Sequence, residues 1–201
     1  MSRIIPMFPL GTVLFPYAPL PLHVFEPRYR LMTRRVEQTD REFGVVLIER
    51  GSEVGGGDVR FDVGTIARVV MSQELPDGRF ALSTVGTRRI RVTQWLDDDP
   101  YPQAEVASFD DPTSDGAGRA QVIAALKNVS DIARQFDPRV AEPPELHDDP
   151  VRASYEAAAI SPLGPLDAQR VLEASNASER FALLATMLDE AAVALRTRLG
   201  E

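Results

Sequence analysis

Hydrophobic and polar positions divide the chain into a first half with strand patterns and a second half with helix patterns. Residues 43–49, FGVVLIE, are a short apolar, β-branched run typical of a buried strand. Residues 64–86 hold Pro-Asp-Gly between two strand-like stretches, which predicts a turn between strands. In residues 87–96 apolar and arginine positions alternate, which predicts a half-buried strand with a solvated arginine face, and 101–109 could be a final strand. Many short strands joined by tight turns favour a small barrel or sandwich.

One helix is predicted inside this β-rich half. Pro27 suits the first turn of a helix, because its missing N–H would be unpaired there in any case. Apolar residues then recur at helical spacing and predict a single buried stripe. The stripe comprises Phe25, Tyr29, Met32 and Val36.

The second half reads as helix. Apolar positions between 122 and 136 keep a 4-3-4-3 spacing, and residues 151–160 and 165–174 are typical of two short helices. Residues 137–150 hold four prolines and five acidic residues, which predicts an extended connector. We therefore expect an α+β protein with a β-rich domain at 1–112 and a helical domain at 113–201.

The last helix has its own start signal. Asn176 and Glu179 match the N-x-x-E pattern of a capping box, so the helix is expected to begin near Asn176. An apolar seam follows, and such a seam packs on neighbouring helices far more often than it binds a foreign partner. It comprises Phe181, Leu184, Leu188, Ala191, Leu195 and Leu199.

Composition excludes several chemistries. The chain has no cysteine and only His23 and His147, which excludes disulfides, thiol nucleophiles and a multi-histidine metal site within one chain, so no cofactor is expected. The net charge of −8 arises entirely after residue 100, where nine basic residues face 17 acidic ones, against 13 of each before it. Neither half offers the positive field that attracts nucleic acid or anionic lipid over long range.

His23 and Glu26 are the first candidates for chemistry, as a general-base pair or two metal ligands. Three positions apart on a strand they would lie on opposite faces, and Pro27 marks a helix start. Glu26 could accept unpaired N–H groups of that helix, and His23 could hydrogen-bond locally. The pattern favours a strand-to-helix corner. His147, in the acidic connector, is read as solvated.

Four segments together resemble the N-terminal substrate-binding domain of Lon proteases. They are MFPLGTVLFPYAPLPLHVFEPRYRLM (7–32), VGTIARV (63–69), LPDGRFALSTVGTRRIRV (75–92) and, more weakly, PLDAQRVLEASNASERFALLATML (165–188). They occur in the family's order and span nearly the whole chain. The resemblance implies an N-terminal PUA-like β-barrel with one inserted helix, followed by a C-terminal helical bundle.

The catalytic modules of Lon have no counterpart in these residues. No G-x-x-x-x-G-K-[ST] phosphate loop occurs, and the glycine-rich GSEVGGGD (51–58) has no following Lys-Ser/Thr, so we read it as a strand connector. There is no Ser-Lys protease module before Glu201. We expect a stand-alone, non-enzymatic member of the family. Because no signal peptide or membrane-spanning run is evident, we expect a cytoplasmic location.

The resemblance implies a module that holds exposed or unfolded polypeptide segments, or docks a protease or chaperone, as an adaptor or regulator in protein quality control. A groove between the β domain and the helices would take apolar side chains, with arginines at its rim contacting backbone carbonyls or acids. The residues expected to bind are His23, Phe25, Tyr29, Arg30 and Arg68.

Two alternatives come from other classes of protein. The PUA-like barrel could bind RNA or a small ligand, with an arginine patch made by Arg88, Arg89 and Arg91. The third hypothesis is an unrecognised hydrolase, although no G-x-S-x-G elbow is present. Loss of RNA affinity with salt, or activity on casein, ATP and ester substrates, would separate the three.

Overall fold

A computed structural model describes residues 3–51, 53 and 57–199. Over these residues the protein is α+β, with six strands and five helices. The strands are β1 (Arg3–Leu10), β2 (Pro19–Val24), β3 (Glu42–Arg50), β4 (Val59–Glu74), β5 (Phe80–Trp95) and β6 (Gln103–Ser108). The helices are α1 (Pro27–Glu37), α2 (Arg119–Phe136), α3 (Pro150–Ile160), α4 (Pro165–Glu173) and α5 (Ala177–Leu199).

The chain forms two compact units, Met1–Asp110 and Asp111–Glu201. The first contains all six described strands and α1, and the second contains the remaining described helices. We call them the β unit and the helical unit. The domain limits of 1–112 and 113–201 remain a prediction.

The strands of the β unit form one sheet in the order β2-β5-β4-β3-β1-β6. β1 and β3 are parallel, and the other pairs are antiparallel. β6 pairs with β5 as well as with β1, so the pairings β5–β4–β3–β1–β6–β5 close into a ring, while β2 lies outside it on the first half of β5. The buried strand at 43–49, the turn at Pro-Asp-Gly and the last strand are confirmed.

α1 covers one face of the sheet. It begins at Pro27 as predicted, and Tyr29, Met32 and Val36 are buried in a core with residues of β1 to β5. The Tyr29 ring stacks on Phe8 with 4.1 Å between ring centroids. The stripe prediction is wrong for Phe25, which precedes the helix and is 53% exposed.

In the helical unit, α2, α3 and α4 pack against α5. The predicted helix start near Asn176 is confirmed, because the Glu179 N–H donates to Asn176 Oδ1 at 2.9 Å. The returning bond of the capping box is shifted by one residue: Glu179 Oε2 accepts from the N–H of Ser175 at 2.7 Å. Phe181, Leu184 and Leu188 of the predicted seam are fully buried. Residues 137–149 form no helix or strand, in agreement with the predicted connector.

A buried polar network centres on Arg180. Its side chain is fully buried, with Nη1 donating to Asp111 Oδ1 at 2.7 Å and Nε donating to Ser154 Oγ at 2.8 Å. The guanidinium lies 4.0 Å from the ring centroid of Tyr155, whose hydroxyl donates to the same Asp111 carboxylate at 2.6 Å. One cation therefore ties α3, α5 and the start of the helical unit together.

Candidate functional site

One face of β2, β5 and β4 is open to solvent, opposite the face that α1 covers. Side chains alternate along each strand, so Val24, Leu82 and Val69 point into the core while their neighbours point outward. Strand register then aligns the outward residues in rows, for example Pro21 beside Ser83 and Ser83 beside Met71. This outer face comprises Pro19, Pro21 and His23 of β2, Ala81, Ser83 and Val85 of β5, and Arg68, Val70, Met71 and Gln73 of β4.

A β-bulge places two consecutive apolar side chains on the outer face. Val69 pairs with Thr84 but Met71 pairs with Ser83, so β4 has one extra residue, Val70, at this point. Such a bulge redirects side chains that strict alternation would bury. Val70 is 63% exposed and Met71 is 64% exposed. Large apolar side chains exposed side by side mark a candidate interaction surface.

Cavities flank β2 on both sides. The strand-side cavity, of about 500 Å³, lies on the outer face and is lined by Met71, Leu75 and Ala81. The helix-side cavity, of about 190 Å³, is lined by Phe8, Leu10, Val24, Phe25, Glu26, Tyr29 and Glu53. Pro21, Leu22 and His23 line both cavities, so β2 forms the ridge between two apolar depressions.

β2 is poorly suited to pairing with an added strand. Among the described strands it pairs only with β5, so its other edge is open. Pro19 and Pro21 lack an N–H, and prolines on an edge strand hinder the pairing of another chain. A segment that crosses β2 would therefore be held mainly through its side chains.

Three of the five predicted polypeptide-binding residues come together at this ridge. His23, Phe25 and Tyr29 all line the helix-side cavity. Tyr29 forms its buried wall, and burial raises the pKa of its hydroxyl to about 12 against smaller opposing effects, so the group stays protonated at neutral pH. His23 is exposed, and its predicted local hydrogen bond stays a prediction.

Glu26 does not cap α1 as expected. It occupies the N-cap position, but its carboxylate accepts a hydrogen bond from Arg28 Nε at 3.2 Å and none from the helix backbone. The Arg28 guanidinium, two residues away, thus takes the place of the helix N–H groups as hydrogen-bond donor to this carboxylate. Across residues 3–51, 53 and 57–199, no group of three or more histidine, aspartate or glutamate side chains could hold a metal ion.

The other two predicted binding residues lie apart from this ridge. Arg30 is partly buried against the turn between β4 and β5. Its Nη2 atom lies so close to Gly78 in that turn that a Cβ added to the glycine would be only 2.2 Å away. Arg68 stands on the outer face, in the row of Val85 and Pro19, two residues before Val70. The candidate site is therefore the ridge with its two cavities, and Arg68 lies at one end of the outer face.

Arg68 belongs to an ion cluster that the sequence did not suggest. Glu42, only 6% exposed, accepts hydrogen bonds from Arg68 Nη2 at 2.8 Å, from Arg3 Nη2 at 2.8 Å and from both terminal nitrogens of Arg88 at 2.8 and 3.2 Å. Burial alone would raise the pKa of Glu42, but the hydrogen bonds from the three arginines outweigh it and lower that pKa to about 2. We call these four residues the Glu42 cluster.

The proposed RNA patch of Arg88, Arg89 and Arg91 is not one exposed surface. Arg89 is 2% exposed, with its guanidinium 3.9 Å from the ring centroid of Phe109, so the predicted solvated face is wrong for this residue. Arg91 lies 4.5 Å from the same ring. Arg88 turns the other way, toward Glu42.

A second β-bulge lies just before these residues. Thr65 pairs with Arg89 and Ala67 pairs with Gly86, so β5 has one extra residue between Gly86 and Arg89. Alternation is regular from Arg89 to Arg91, so these two arginines share a face as predicted, and both contact Phe109. Arg88, within the bulge, reaches Glu42 instead.

Two further segments considered in the sequence are His147 and the glycine-rich residues 51–58. His147 Nδ1 accepts a hydrogen bond from the Asp149 N–H at 3.0 Å, at the start of α3. Four residues of the glycine-rich 51–58 segment lie outside the described residues. None of the helices, over the residues that the structure covers, is long and apolar enough to cross a membrane.

Comparison with known proteins gives a consistent family. The model of the ATP-dependent protease La (LON) substrate-binding domain matches residues 4–190. Lon protease of Escherichia coli K12 is 28% identical over 193 residues, which cover 92% of this chain and 24% of the relative. Lon protease of Cytophaga hutchinsonii is 30% identical over 136 residues, or 66% of this chain and 16% of the relative. The chain thus spans about a quarter of the length of the first curated relatives it matches.

Solved structures agree on the fold. The crystal structure of a Lon N-terminal domain protein from Xanthomonas campestris has a TM-score of 0.68 and 25% identity, covering 92% of this chain and 98% of that one. The N-terminal domain of Lon protease from the Mycobacterium avium complex has a TM-score of 0.65 at 15% identity, covering 93% and 98%, and is similar in fold alone.

Proposed function

Because the chain belongs to the family of the ATP-dependent protease La (LON) substrate-binding domain, we propose that it is a module that binds exposed or unfolded polypeptide segments. The observation that carries this proposal is the pair of apolar cavities on either side of β2. In this view the chain recognises polypeptide without transforming it. It acts as an adaptor or regulator in proteolysis, alone or docked to a protease or chaperone.

The same proposal assigns an architecture to the two units. The closed ring of strand pairings supports a PUA-like β-barrel for residues 1–112. The packing of α2, α3 and α4 on α5 supports a helical bundle for residues 113–201.

The ridge would bind a segment through two apolar anchors. One bulky side chain would enter the helix-side cavity beside Phe25, and another would cover Met71 in the strand-side cavity. Complete burial of one such side chain contributes about 1.5–3 kcal/mol. Two anchors therefore supply about 3–6 kcal/mol before the cost of ordering a flexible segment, which corresponds to a dissociation constant in the millimolar range.

The RNA alternative finds less support in the β unit. RNA recognition uses exposed cations together with exposed aromatic rings on which bases stack. Arg89 is buried and Arg88 is held by Glu42, while Phe109 stacks on arginines rather than standing free. We therefore expect any affinity for RNA to be weak and to disappear at moderate salt.

The proposal predicts that the protein binds an unfolded polypeptide and not its folded form. Fluorescence anisotropy with a reduced, alkylated and labelled secretory protein should give saturable binding, and the same protein with intact disulfides should give none. Serine at Met71 should weaken binding about tenfold, and serine at Phe25 about threefold or more, because each removes apolar surface from the ridge.

Ile4→Ser is the matched control for these variants. Ile4 is an exposed apolar residue of β1 in the same unit, but it is not on the outer face. The Ile4→Ser variant should bind the unfolded polypeptide as tightly as the unsubstituted protein does. Equal affinity of all variants, or equal affinity for folded and unfolded polypeptide, would show that the ridge is not the binding site.

A further inference from the structure

The Glu42 cluster ends the outer face with a pair of exposed cations. The Arg68 side chain is 56% exposed and uses only Nη2, so that Nε and Nη1 have no hydrogen-bond partner within the described residues. Arg88 is 44% exposed, and both of its terminal nitrogens bind Glu42. Because both arginines share Glu42 Oε1, their guanidinium groups are neighbours.

The charges in the cluster do not cancel. Three guanidinium groups face the carboxylate of Glu42 and that of Asp40, which binds Arg3 at 3.0 Å. The three arginines and two carboxylates together carry a net charge of +1, and Arg68 is the most exposed of the three arginines. Glu42 is buried beneath the arginines, so it acts as a fixed counterion that orients them. Oriented guanidinium groups bind a carboxylate with less loss of side-chain freedom than mobile ones.

Holding the sheet together does not require Arg68. Arg88 binds Glu42 with two hydrogen bonds, and Arg3 adds a third, whereas Arg68 adds one from an exposed position. A single half-exposed ion pair contributes little to stability. The other donors of Arg68 are therefore available for an incoming acidic group.

We propose that Arg68, assisted by Arg88, binds an acidic side chain of the polypeptide that occupies the ridge. This rests on the proposed function and adds a substrate class to it. Arg68 pairs with Val85 and Met71 pairs with Ser83, and these partners are two positions apart on β5, so the cation and the strand-side cavity are separated by about 7 Å. An extended segment covers that distance in two residues and keeps both side chains on one face. The preferred segment carries aspartate or glutamate two residues from a bulky apolar residue, in either direction.

Labelled peptides of about nine residues test the proposal. Each has one phenylalanine in an otherwise small, polar sequence, with glutamate, glutamine or lysine two positions away, so that both side chains lie on one face of the extended peptide. We expect the glutamate peptide to bind about fivefold more tightly than the glutamine peptide at low salt, and the lysine peptide to bind least. A peptide with serine in place of phenylalanine should not bind.

Variants of the protein locate the preference. In Arg68→Gln the fivefold ratio should fall to about one while the glutamine peptide binds as before, and Arg68→Lys should retain part of the ratio because it keeps the charge but not the fork of donors. Arg35→Gln is the control, because it removes an exposed arginine from α1, which packs on the opposite face of the sheet. It should leave the ratio unchanged.

The peptide experiments distinguish failure of the acidic preference from failure of the proposed function. Equal binding of the glutamate and glutamine peptides by the unsubstituted protein would overturn the acidic preference and leave polypeptide binding intact. A preference that survives in Arg68→Gln would overturn the assignment to this residue. Absence of binding by every phenylalanine peptide would contradict the proposed function itself.

Discussion

Replacing Arg180 with alanine is expected to lower the free energy of unfolding of the helical unit by about 3–5 kcal/mol. The variant removes a fully buried cation from beside the half-buried Asp111 carboxylate, which keeps its hydrogen bond from Tyr155, and removes the hydrogen bond to Ser154. It also opens space beneath the Tyr155 ring, on which the guanidinium packs. Removing one partner of a buried ion pair is far more destabilising than removing both, because the remaining charge loses its counterion.

Urea unfolding followed by circular dichroism at the helix band measures this loss, because α2 to α5 all lie in the helical unit. Arg170→Ala is the control: it removes an exposed arginine of α4 that pairs with Asp167, and it should change stability by less than about 0.5 kcal/mol. If Arg180→Ala does not fold, Arg180→Lys keeps the charge and should show a smaller loss. A loss below about 1 kcal/mol in both variants would contradict a central role for this network.

Glu42→Gln is expected to destabilise the β unit by about 3 kcal/mol at neutral pH. Hydrogen bonds from three arginines hold the pKa of Glu42 at about 2, against an ordinary 4.5, although burial by itself would raise it. Each unit of pKa difference between the folded and unfolded states corresponds to about 1.4 kcal/mol. Because the folded pKa is the lower one, this contribution is complete above about pH 4.5 and is lost as the pH falls toward 2.

Fluorescence of Trp95 provides the measurement. It is the only tryptophan of the chain and lies in the β unit, where its indole N–H donates to Asp62 at 3.1 Å. The difference in unfolding free energy between the unsubstituted protein and Glu42→Gln should be about 3 kcal/mol at pH 7, shrink below pH 4.5 and vanish near pH 2. Glu74→Gln, which alters an exposed pair with Arg34, should show almost no difference. A difference that does not depend on pH would contradict the assigned pKa.

Local sequence patterns predicted most of the elements. The apolar run at 43–49, the Pro-Asp-Gly turn, the proline at the start of α1 and the helix start near Asn176 each depend on a few neighbouring residues, and each is found in the structure. Such signals are reliable because backbone conformation and capping are decided within one turn of chain.

Features that depend on strand register were not predictable. A β-bulge shifts alternation by one residue, so Val70 and Met71 are both exposed, contrary to the regular pattern. Arg89 is buried on its predicted face because it lies against Phe109, which follows β6 in the chain. The Glu42 cluster likewise joins residues that are 26 and 46 positions apart, and only the pairing of β3 with β4 and β5 with β4 brings them together.

The candidate site was predicted in part for the same reason. His23, Phe25 and Tyr29 are close in sequence, and the corner between β2 and α1 brings them to one cavity. Arg30 and Arg68 were expected with them but lie elsewhere, one against the β4–β5 turn and one at the end of the outer face. Nothing in the sequence distinguished Val70 and Met71 of β4 from buried strand residues.

Amide chemical shifts of the isotope-labelled protein, titrated with the phenylalanine–glutamate peptide, show whether the ridge binds the polypeptide. If the ridge is the binding site, the largest changes should occur in residues 20–25, 68–75 and 81–85, and they should saturate at millimolar peptide. Changes confined to other parts of the β unit or to the helical unit, or no changes at all, would contradict the account.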